Sequence, residues 1–324
     1  MLGVCGMAAD TALTKLRRIG RLVRPLKLAT INYDPNDKRS CERLAERLFS
    51  EQDCLGNLGS AERGRNLLRI IGDSYPTEPL TNAYFTNLLA LLDGRPKLAE
   101  PGSVLIGLGT GRCGSTTLAS FLADLPGACS THENPPLIFW RPESEQIQFH
   151  LRRFSILVNY FQLVSDCSHW WLNVAPDVFD MFPSARFIGL VREPTACANS
   201  FMAIKKFGHG SYNHWVPFAN APWIPAHWDP TYPTYDAPSD SYRNADRAKR
   251  ALILRYIHEY NVKLTELASA FPDRFIVLQT EELNLPSSLQ KISEFVGIRG
   301  GFPTRALKRN ANSISDSRDL KLHF

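Results

Sequence analysis

The feature that most constrains the fold is a short apolar run followed by a glycine-rich loop and a segment with helical periodicity. Residues 104–108 are typical of a buried strand, and three glycines with one arginine predict a tight loop. Leu118, Phe121 and Leu122 then share one face of a helix. Because this order directs backbone N–H groups and the positive end of a helix dipole at one point, it predicts an anion-binding site.

Known phosphate-binding loops differ in the residues that they require. Gly109, Gly111 and Gly114 match G-x-G-x-x-G, the dinucleotide fingerprint, in which Glu133 would bind the ribose. The nucleoside-triphosphate loop has the form G-x-x-x-x-G-K-[ST], and Ser115 occupies its lysine position. The dinucleotide interpretation rests on a pattern that is weak by itself, and the triphosphate interpretation lacks its cation.

The side chains of the loop favour an anion with terminal oxygens. Arg112 places a cation inside the loop, and the hydroxyl residues Ser115, Thr116 and Thr117 follow it. Hydroxyls in the first turn of a helix donate to terminal oxygens alongside the backbone, whereas a dinucleotide fold requires only close backbone approach there.

Two motifs resemble those of the sulfotransferases that use 3'-phosphoadenosine 5'-phosphosulfate (PAPS). Residues 111–118, GRCGSTTL, are similar to the first family motif, an arginine or lysine followed by a glycine, two hydroxyl residues and a leucine. Residues 187–194, FIGLVREP, resemble the second, a hydrophobic strand that ends in an arginine, with a serine eight residues beyond it at Ser200. The resemblance covers residues 101–300, and the order and spacing of the two motifs make it stronger than either motif alone.

The resemblance implies which residues bind the donor. The 5'-phosphate end would lie on the loop and the first turn of the helix, at Gly111, Arg112, Cys113, Gly114, Ser115, Thr116 and Thr117. The 3'-phosphate would be bound by Arg192 and Ser200, with Arg309 of the basic tail as a further ligand. Arg112 would also have a catalytic role, because it stabilises the departing bisphosphate. The scheme requires no metal ion.

Two adjacent residues are candidates for the general base that acts on the acceptor. Residues 126–136 are typical of a turn, a short strand and a polar exit, which places His132 and Glu133 at the carboxyl edge of the sheet. Many sulfotransferases carry a glutamate or histidine at this distance, and the resemblance implies Glu133 first and His132 second. Because side chains alternate along a strand, the two should point in opposite directions.

The order of predicted elements indicates an α/β fold, a mostly parallel sheet with helices on both faces in a P-loop-like, three-layer arrangement. Residues 186–191 and 275–278 predict buried strands, and residues 244–271 a long amphipathic helix. Residues 144–182 show helical signals around a tryptophan pair. We expect a basic helix and helical extension over residues 1–98 and the domain that resembles sulfotransferases over residues 99–324.

Composition narrows the class of protein. The formal net charge of +5 is modest and spread along the 324 residues, which suits an anionic ligand and argues against a nucleic-acid partner. The seven cysteines contain no C-x-x-C pair, which argues against a disulfide framework and a structural zinc site. A reducing, cytoplasmic location is the simplest interpretation.

Two further segments carry predictions. Residues 12–27 interleave basic and apolar residues, as a membrane-surface helix, a targeting peptide or a solvated helix packed on the domain would. Residues 207–242 hold three tryptophans and four tyrosines among many prolines, which predicts an aromatic lid over the acceptor.

The resemblance implies an enzyme that moves a sulfuryl group from PAPS to a hydroxyl of a carbohydrate or other small molecule by in-line displacement. A kinase or nucleoside triphosphatase remains open, although the loop lacks its lysine and the strand before Arg192 lacks a metal-holding aspartate. A noncatalytic nucleotide-binding protein on the same fold also remains open. The sequence carries no signature of the oligomeric state.

Overall fold

The computed structural model of the protein describes residues 37–40, 78–134, 145–204 and 246–297. The predicted basic helix at residues 12–27, the aromatic lid at 207–242 and Arg309 lie outside the described residues. They stay predictions, as does the domain boundary at residue 98.

Five parallel strands form a single sheet in the described part of the chain. They are β1 (Ser103–Gly109), β2 (Ala128–His132), β3 (Leu163–Cys167), β4 (Arg186–Val191) and β5 (Phe275–Gln279). Their order across the sheet is β2-β3-β1-β4-β5, so that β1 is central and β3 and β4 are its neighbours. This arrangement confirms the predicted α/β fold with a parallel sheet.

Seven α-helices accompany these strands in residues 78–134, 145–204 and 246–297. They are α1 (Glu78–Leu92), α2 (Ser115–Ala123), α3 (Glu145–Leu157), α4 (Ala175–Met181), α5 (Pro194–Ile204), α6 (Asp246–Ala270) and α7 (Pro286–Val296). Short 3-10 helices span His169–Val174 and Thr280–Glu282. Helix α7 ends at Val296 and is capped by Gly297, whose φ of 75° is the left-handed conformation expected of a glycine at this position.

Alternation along the strands divides the core between the two faces of the sheet. Ile188 and Leu190 belong to a buried apolar cluster with Leu118 of α2 and Ile292 of α7. Phe187 directly precedes Ile188 and points to the other face, where its ring packs on Phe179 of α4 and stacks on Phe275. Phe271 also contacts the Phe179 ring. Helices therefore cover both faces, as predicted.

The strand β3 corrects the sequence analysis, which recognised only helical signals in this region. Ser165 and Asp166 interrupt its apolar run, yet both are fully buried. Ser165 donates to Ser130 Oγ at 2.7 Å, and Asp166 accepts from Thr131 Oγ1 and Trp171 Nε1, each at 2.7 Å. Because partners on neighbouring elements satisfy these polar groups, the strand can be buried without the apolar pattern that identifies such strands.

Helix α1 is the part of the predicted N-terminal extension that the structure describes most fully. Tyr84 and Phe85 are buried against Phe149 of α3, with ring centroids 4.7 and 5.1 Å apart. The Arg152 guanidinium lies 4.1 Å from the centre of the Phe85 ring, within cation–π distance. These contacts attach α1 to α3.

Within the described ranges, no helix is long and apolar enough to cross a membrane.

We expect the substitution Gly109→Ala to destabilise the protein by about 1–3 kcal/mol, because an added methyl group would overlap Cys113 Sγ and approach the Leu190 carbonyl. The free energy of unfolding from urea denaturation measures this. Cys113→Ala removes the sulfur, so the double variant should be less destabilised than the sum of the two single variants. Additive effects would show that the sulfur is not the obstacle.

Candidate anion-binding site

The loop between β1 and α2 has a backbone shaped by positive φ angles. Gly111, Arg112 and Gly114 have φ values of 79°, 58° and 88°. Glycine adopts this conformation at no steric cost, whereas Arg112 is held in it with some strain. Left-handed residues next to right-handed ones curve the backbone so that N–H groups line a concavity, which is the form of an anion site.

Three hydroxyl side chains from distant elements hold this loop. Tyr256 donates to the Thr110 carbonyl at 2.9 Å, and Tyr260 accepts from the Gly109 N–H at 3.1 Å. Thr280 donates to the Cys113 carbonyl at 2.6 Å. The sequence analysis placed both tyrosines within the amphipathic helix predicted for residues 244–271 and singled out neither them nor Thr280. Their contacts fix the loop before any ligand binds, which is the preorganisation that electrostatic stabilisation requires.

The two arginines of the predicted donor site meet at this loop. Arg192 Nη1 donates to the Arg112 carbonyl at 2.8 Å, and Arg112 Nε donates to Ser200 Oγ at 3.1 Å. The strands explain the proximity, because β1 and β4 are parallel neighbours with Gly109 opposite Leu190. The structure therefore brings Arg112, Arg192 and Ser200 together.

Burial and nearby charges act on the Arg112 guanidinium in opposite directions. Burial lowers the pKa of the Arg112 guanidinium below its ordinary value, while the Glu133 carboxylate raises that pKa and the Arg192 charge lowers it. A guanidinium keeps its charge at neutral pH in any of these environments. Arg112 is thus a partly desolvated cation beside a second cation, an arrangement that a polyanion would stabilise.

The acidic residues near Arg192 leave its guanidinium available to a ligand. Glu193 instead caps helix α5, where its carboxylate accepts from the Thr195 and Ala196 N–H groups at 2.8 and 2.6 Å. Glu281 Oε1 lies 3.9 Å from Arg192 Nε and is half exposed. An exposed pair at this distance contributes little to stability, and a ligand phosphate can replace the carboxylate.

The Glu193 cap makes a pH-dependent contribution to stability. Its two backbone hydrogen bonds lower the pKa of Glu193 below the ordinary 4.5. The stabilisation is therefore complete above pH 4.5 and is lost as the pH falls through the lowered pKa. We expect Glu193→Gln to melt below the wild type at pH 7, with a gap that narrows in acid. A gap independent of pH, measured by calorimetry, would contradict this.

Cys113 contributes to the loop through its backbone. Its side chain is fully buried in the cluster with Leu118 and Leu190. Burial raises the pKa of Cys113 to about 12, so that the thiol is neutral and unreactive at physiological pH. A role of Cys113 in ligand binding would therefore be that of its backbone groups.

The candidate bases His132 and Glu133 contact different neighbours. Strand β2 ends at His132, so the alternation expected within a strand does not extend to Glu133. His132 Nε2 lies 2.9 Å from Ser115 Oγ and 3.2 Å from Thr116 Oγ1, at the start of α2. Glu133 has a φ of 51°, and its carboxylate lies 3.9 Å from Nδ1 of His169. His132 thus belongs to the loop, while Glu133 lies beside it.

Sequence reasoning missed two polar residues near this edge of the sheet. His169 follows β3 and accepts a hydrogen bond from Tyr260 through its carbonyl, at 3.0 Å. Asp166, on β3, has its carboxylate engaged by Thr131, Trp171 and the Asn134 N–H. Neither position belongs to a recognisable motif, so only the fold reveals them. Among the described residues, no group of three or more histidines, cysteines or acids could hold a metal ion.

Two sulfotransferases of known structure are similar to this chain at low sequence identity. No protein-family model and no curated protein sequence matches it. A sulfotransferase from Alicyclobacillus acidocaldarius is similar over 66% of this chain and 88% of its own, with 16% identity and a TM-score of 0.39. The sulfotransferase domain of the Synechococcus PCC 7002 olefin synthase is similar over 64% of this chain and 78% of its own, with 18% identity and a TM-score of 0.37. At these values neither structure assigns a donor or an acceptor to this chain.

Proposed function

We propose that this protein is a sulfotransferase that uses PAPS as donor and a hydroxyl group as acceptor. The observation that supports it most is the convergence of two cations on one loop, since Arg192 contacts the carbonyl of Arg112 and Arg112 contacts Ser200. A nucleotide with phosphates on both its 3' and its 5' oxygens can engage both cations at once. A nucleotide with one phosphate group would offer the two cations fewer phosphate oxygens.

The loop residues would act on the charge that develops during transfer. Sulfuryl transfer, like phosphoryl transfer, needs in-line positioning and neutralisation of spreading negative charge, with little covalent work by the protein. Arg112, the loop N–H groups and the hydroxyls of Ser115 and Thr116 would stabilise the negative charge on the departing 5'-phosphate. PAPS supplies the sulfuryl group when it is bound.

Glu133 has the better position of the two candidate bases. Its side chain is 29% exposed, so that an acceptor hydroxyl can reach the carboxylate, whereas His132 is 8% exposed and its Nε2 already contacts two hydroxyls. A carboxylate within hydrogen-bond distance of the acceptor can remove its proton as the new bond forms. We assign the acceptor to the class of small molecules or glycans and propose no nucleic-acid partner.

A kinase or nucleoside triphosphatase has less support. Ser115 replaces the lysine of the triphosphate loop, and the strand next to β1 offers Asp166, whose carboxylate is engaged by Thr131 and Trp171. An aspartate used in this way holds the sheet together and is not available for a magnesium ion.

The four cysteines that the structure describes are free thiols, which supports the proposed cytoplasmic location.

The experiment is a transfer assay that follows release of 3'-phosphoadenosine 5'-phosphate (PAP) from PAPS, with panels of glycans, phenols and alcohols as acceptors. We expect acceptor-dependent release without added magnesium. Binding of PAP with no release for any acceptor would favour the noncatalytic alternative, and magnesium-dependent hydrolysis of ATP would favour the triphosphatase.

A further inference from the structure

We infer that His132 is a positioning residue that aims the hydroxyl hydrogens of Ser115 and Thr116 at the bound anion. In this arrangement Nε2–H of His132 donates to the two hydroxyl oxygens, and each hydroxyl donates onward to the anion. The inference rests on the proposed function to the extent that the anion is taken to be the 5'-phosphate end of the donor.

The geometry of the contacts limits how these groups can share hydrogens. One nitrogen, His132 Nε2, lies 2.9 Å from Ser115 Oγ and 3.2 Å from Thr116 Oγ1. An imidazole nitrogen carries either one hydrogen or one lone pair. If Nε2 carries the lone pair, the hydroxyls donate to it and compete with each other for it. If Nε2 carries the hydrogen, that hydrogen is shared between the two oxygens, and both hydroxyl hydrogens are free for other acceptors.

An anion bound at the loop favours one of these two states over the other. Oxygens of a phosphate or sulfate accept hydrogen bonds and repel the lone pairs of a hydroxyl whose hydrogen is turned away. A chain from N–H through O–H to the anion also strengthens each bond in it. Anion binding should therefore select the arrangement in which Nε2 carries the hydrogen.

The ring also prevents an alternative use of the hydroxyls. Serine and threonine within a helix's first turns can bond back to backbone carbonyls of the preceding residues. His132 is only 8% exposed, and its Nε2 lies within hydrogen-bond distance of both hydroxyl oxygens. This contact keeps the hydroxyls from turning toward the backbone. Without the ring, we expect the hydroxyls to turn away from the anion for part of the time.

A double-mutant cycle in the full-length chain tests this inference. We expect His132→Leu to weaken PAP binding, measured by calorimetry, about tenfold. In a Ser115→Ala, Thr116→Val background the same change should alter PAP binding less than about twofold, because the hydroxyls through which His132 acts are gone. His132→Gln keeps an N–H donor and should recover most of the affinity. An equal loss in both backgrounds would indicate a merely structural role and overturn the inference.

Nitrogen-15 NMR of the His132 ring gives an independent measurement. On addition of PAP or of inorganic phosphate, we expect the Nε2 signal to take the shift of a protonated ring nitrogen. PAP binding with Nε2 unprotonated would overturn the inference and leave the proposed function intact. Protonation on addition of phosphate, with no binding of PAP, would support the inference and overturn the proposed function.

Discussion

Replacing Arg112 with alanine is expected to lower kcat for sulfuryl transfer by about 10²–10³-fold. Arg112 is the cation inside the loop, is partly desolvated and is held in a left-handed conformation beside a second arginine. Its charge would act where negative charge grows as the sulfuryl group leaves. The rate of PAP release at saturating PAPS and acceptor measures the loss.

Matched variants separate the charge of Arg112 from its contacts. Ser200→Ala removes the hydrogen-bond partner of Arg112 Nε and leaves the cation in place, so we expect a much smaller loss of kcat. Arg112→Lys keeps the charge without the planar fork, so its kcat should lie between those of Arg112→Ala and Ser200→Ala. If Arg112→Ala kept nearly the wild-type rate with an unchanged melting temperature, the loop would not be the site of transfer.

Replacing Glu133 with glutamine is expected to lower kcat by about 10²–10⁴-fold, the range for loss of a general base. The amide is nearly isosteric with the carboxylate and cannot accept a proton. PAP binding should be unchanged or tighter, because Glu133 is a negative charge that acts on Arg112 next to the donor site. Transfer rates and calorimetry of PAP binding, on the same preparation, measure the two effects.

His169→Gln is the control for Glu133, because it changes the neighbour at 3.9 Å and keeps the carboxylate. We expect a smaller loss of rate from His169→Gln than from Glu133→Gln. If Glu133→Gln reacted at the wild-type rate while Arg112→Ala was inactive, the base would have to be another residue. His132→Leu would then be the next variant to assay.

The local pattern of the sequence was sufficient to predict most of the elements that carry the site. The strand at residues 186–191 and the helix that begins at Ser115 match the structure, because apolar periodicity and glycine placement are local signals. Strand β3 was missed because Ser165 and Asp166 are polar residues satisfied by partners on other elements. Burial of a polar residue depends on partners distant in sequence, and periodicity carries no information about them.

The candidate site also combines features that local motifs indicate with contacts between residues distant in sequence. The proximity of Arg112 and Arg192 follows from two parallel strands that end at one edge of a sheet, and the resemblance already implied that both arginines bind one donor. The supporting contacts do not follow from any motif. Tyr256 and Tyr260 fit the apolar face of α6, and only the fold shows that their hydroxyls hold residues 109 and 110. Likewise, Thr280 is 167 residues from the carbonyl that it contacts.

The central claim is that Arg112 and Arg192 form one site for a nucleotide with phosphates on its 3' and 5' oxygens. Calorimetry of PAP and of AMP, which lacks the 3'-phosphate, tests it most directly in the wild type and in Arg192→Ala. We expect the wild type to bind PAP about ten- to a hundredfold more tightly than AMP, and Arg192→Ala to lose that preference. Equal affinity of the wild type for PAP and AMP would contradict the account.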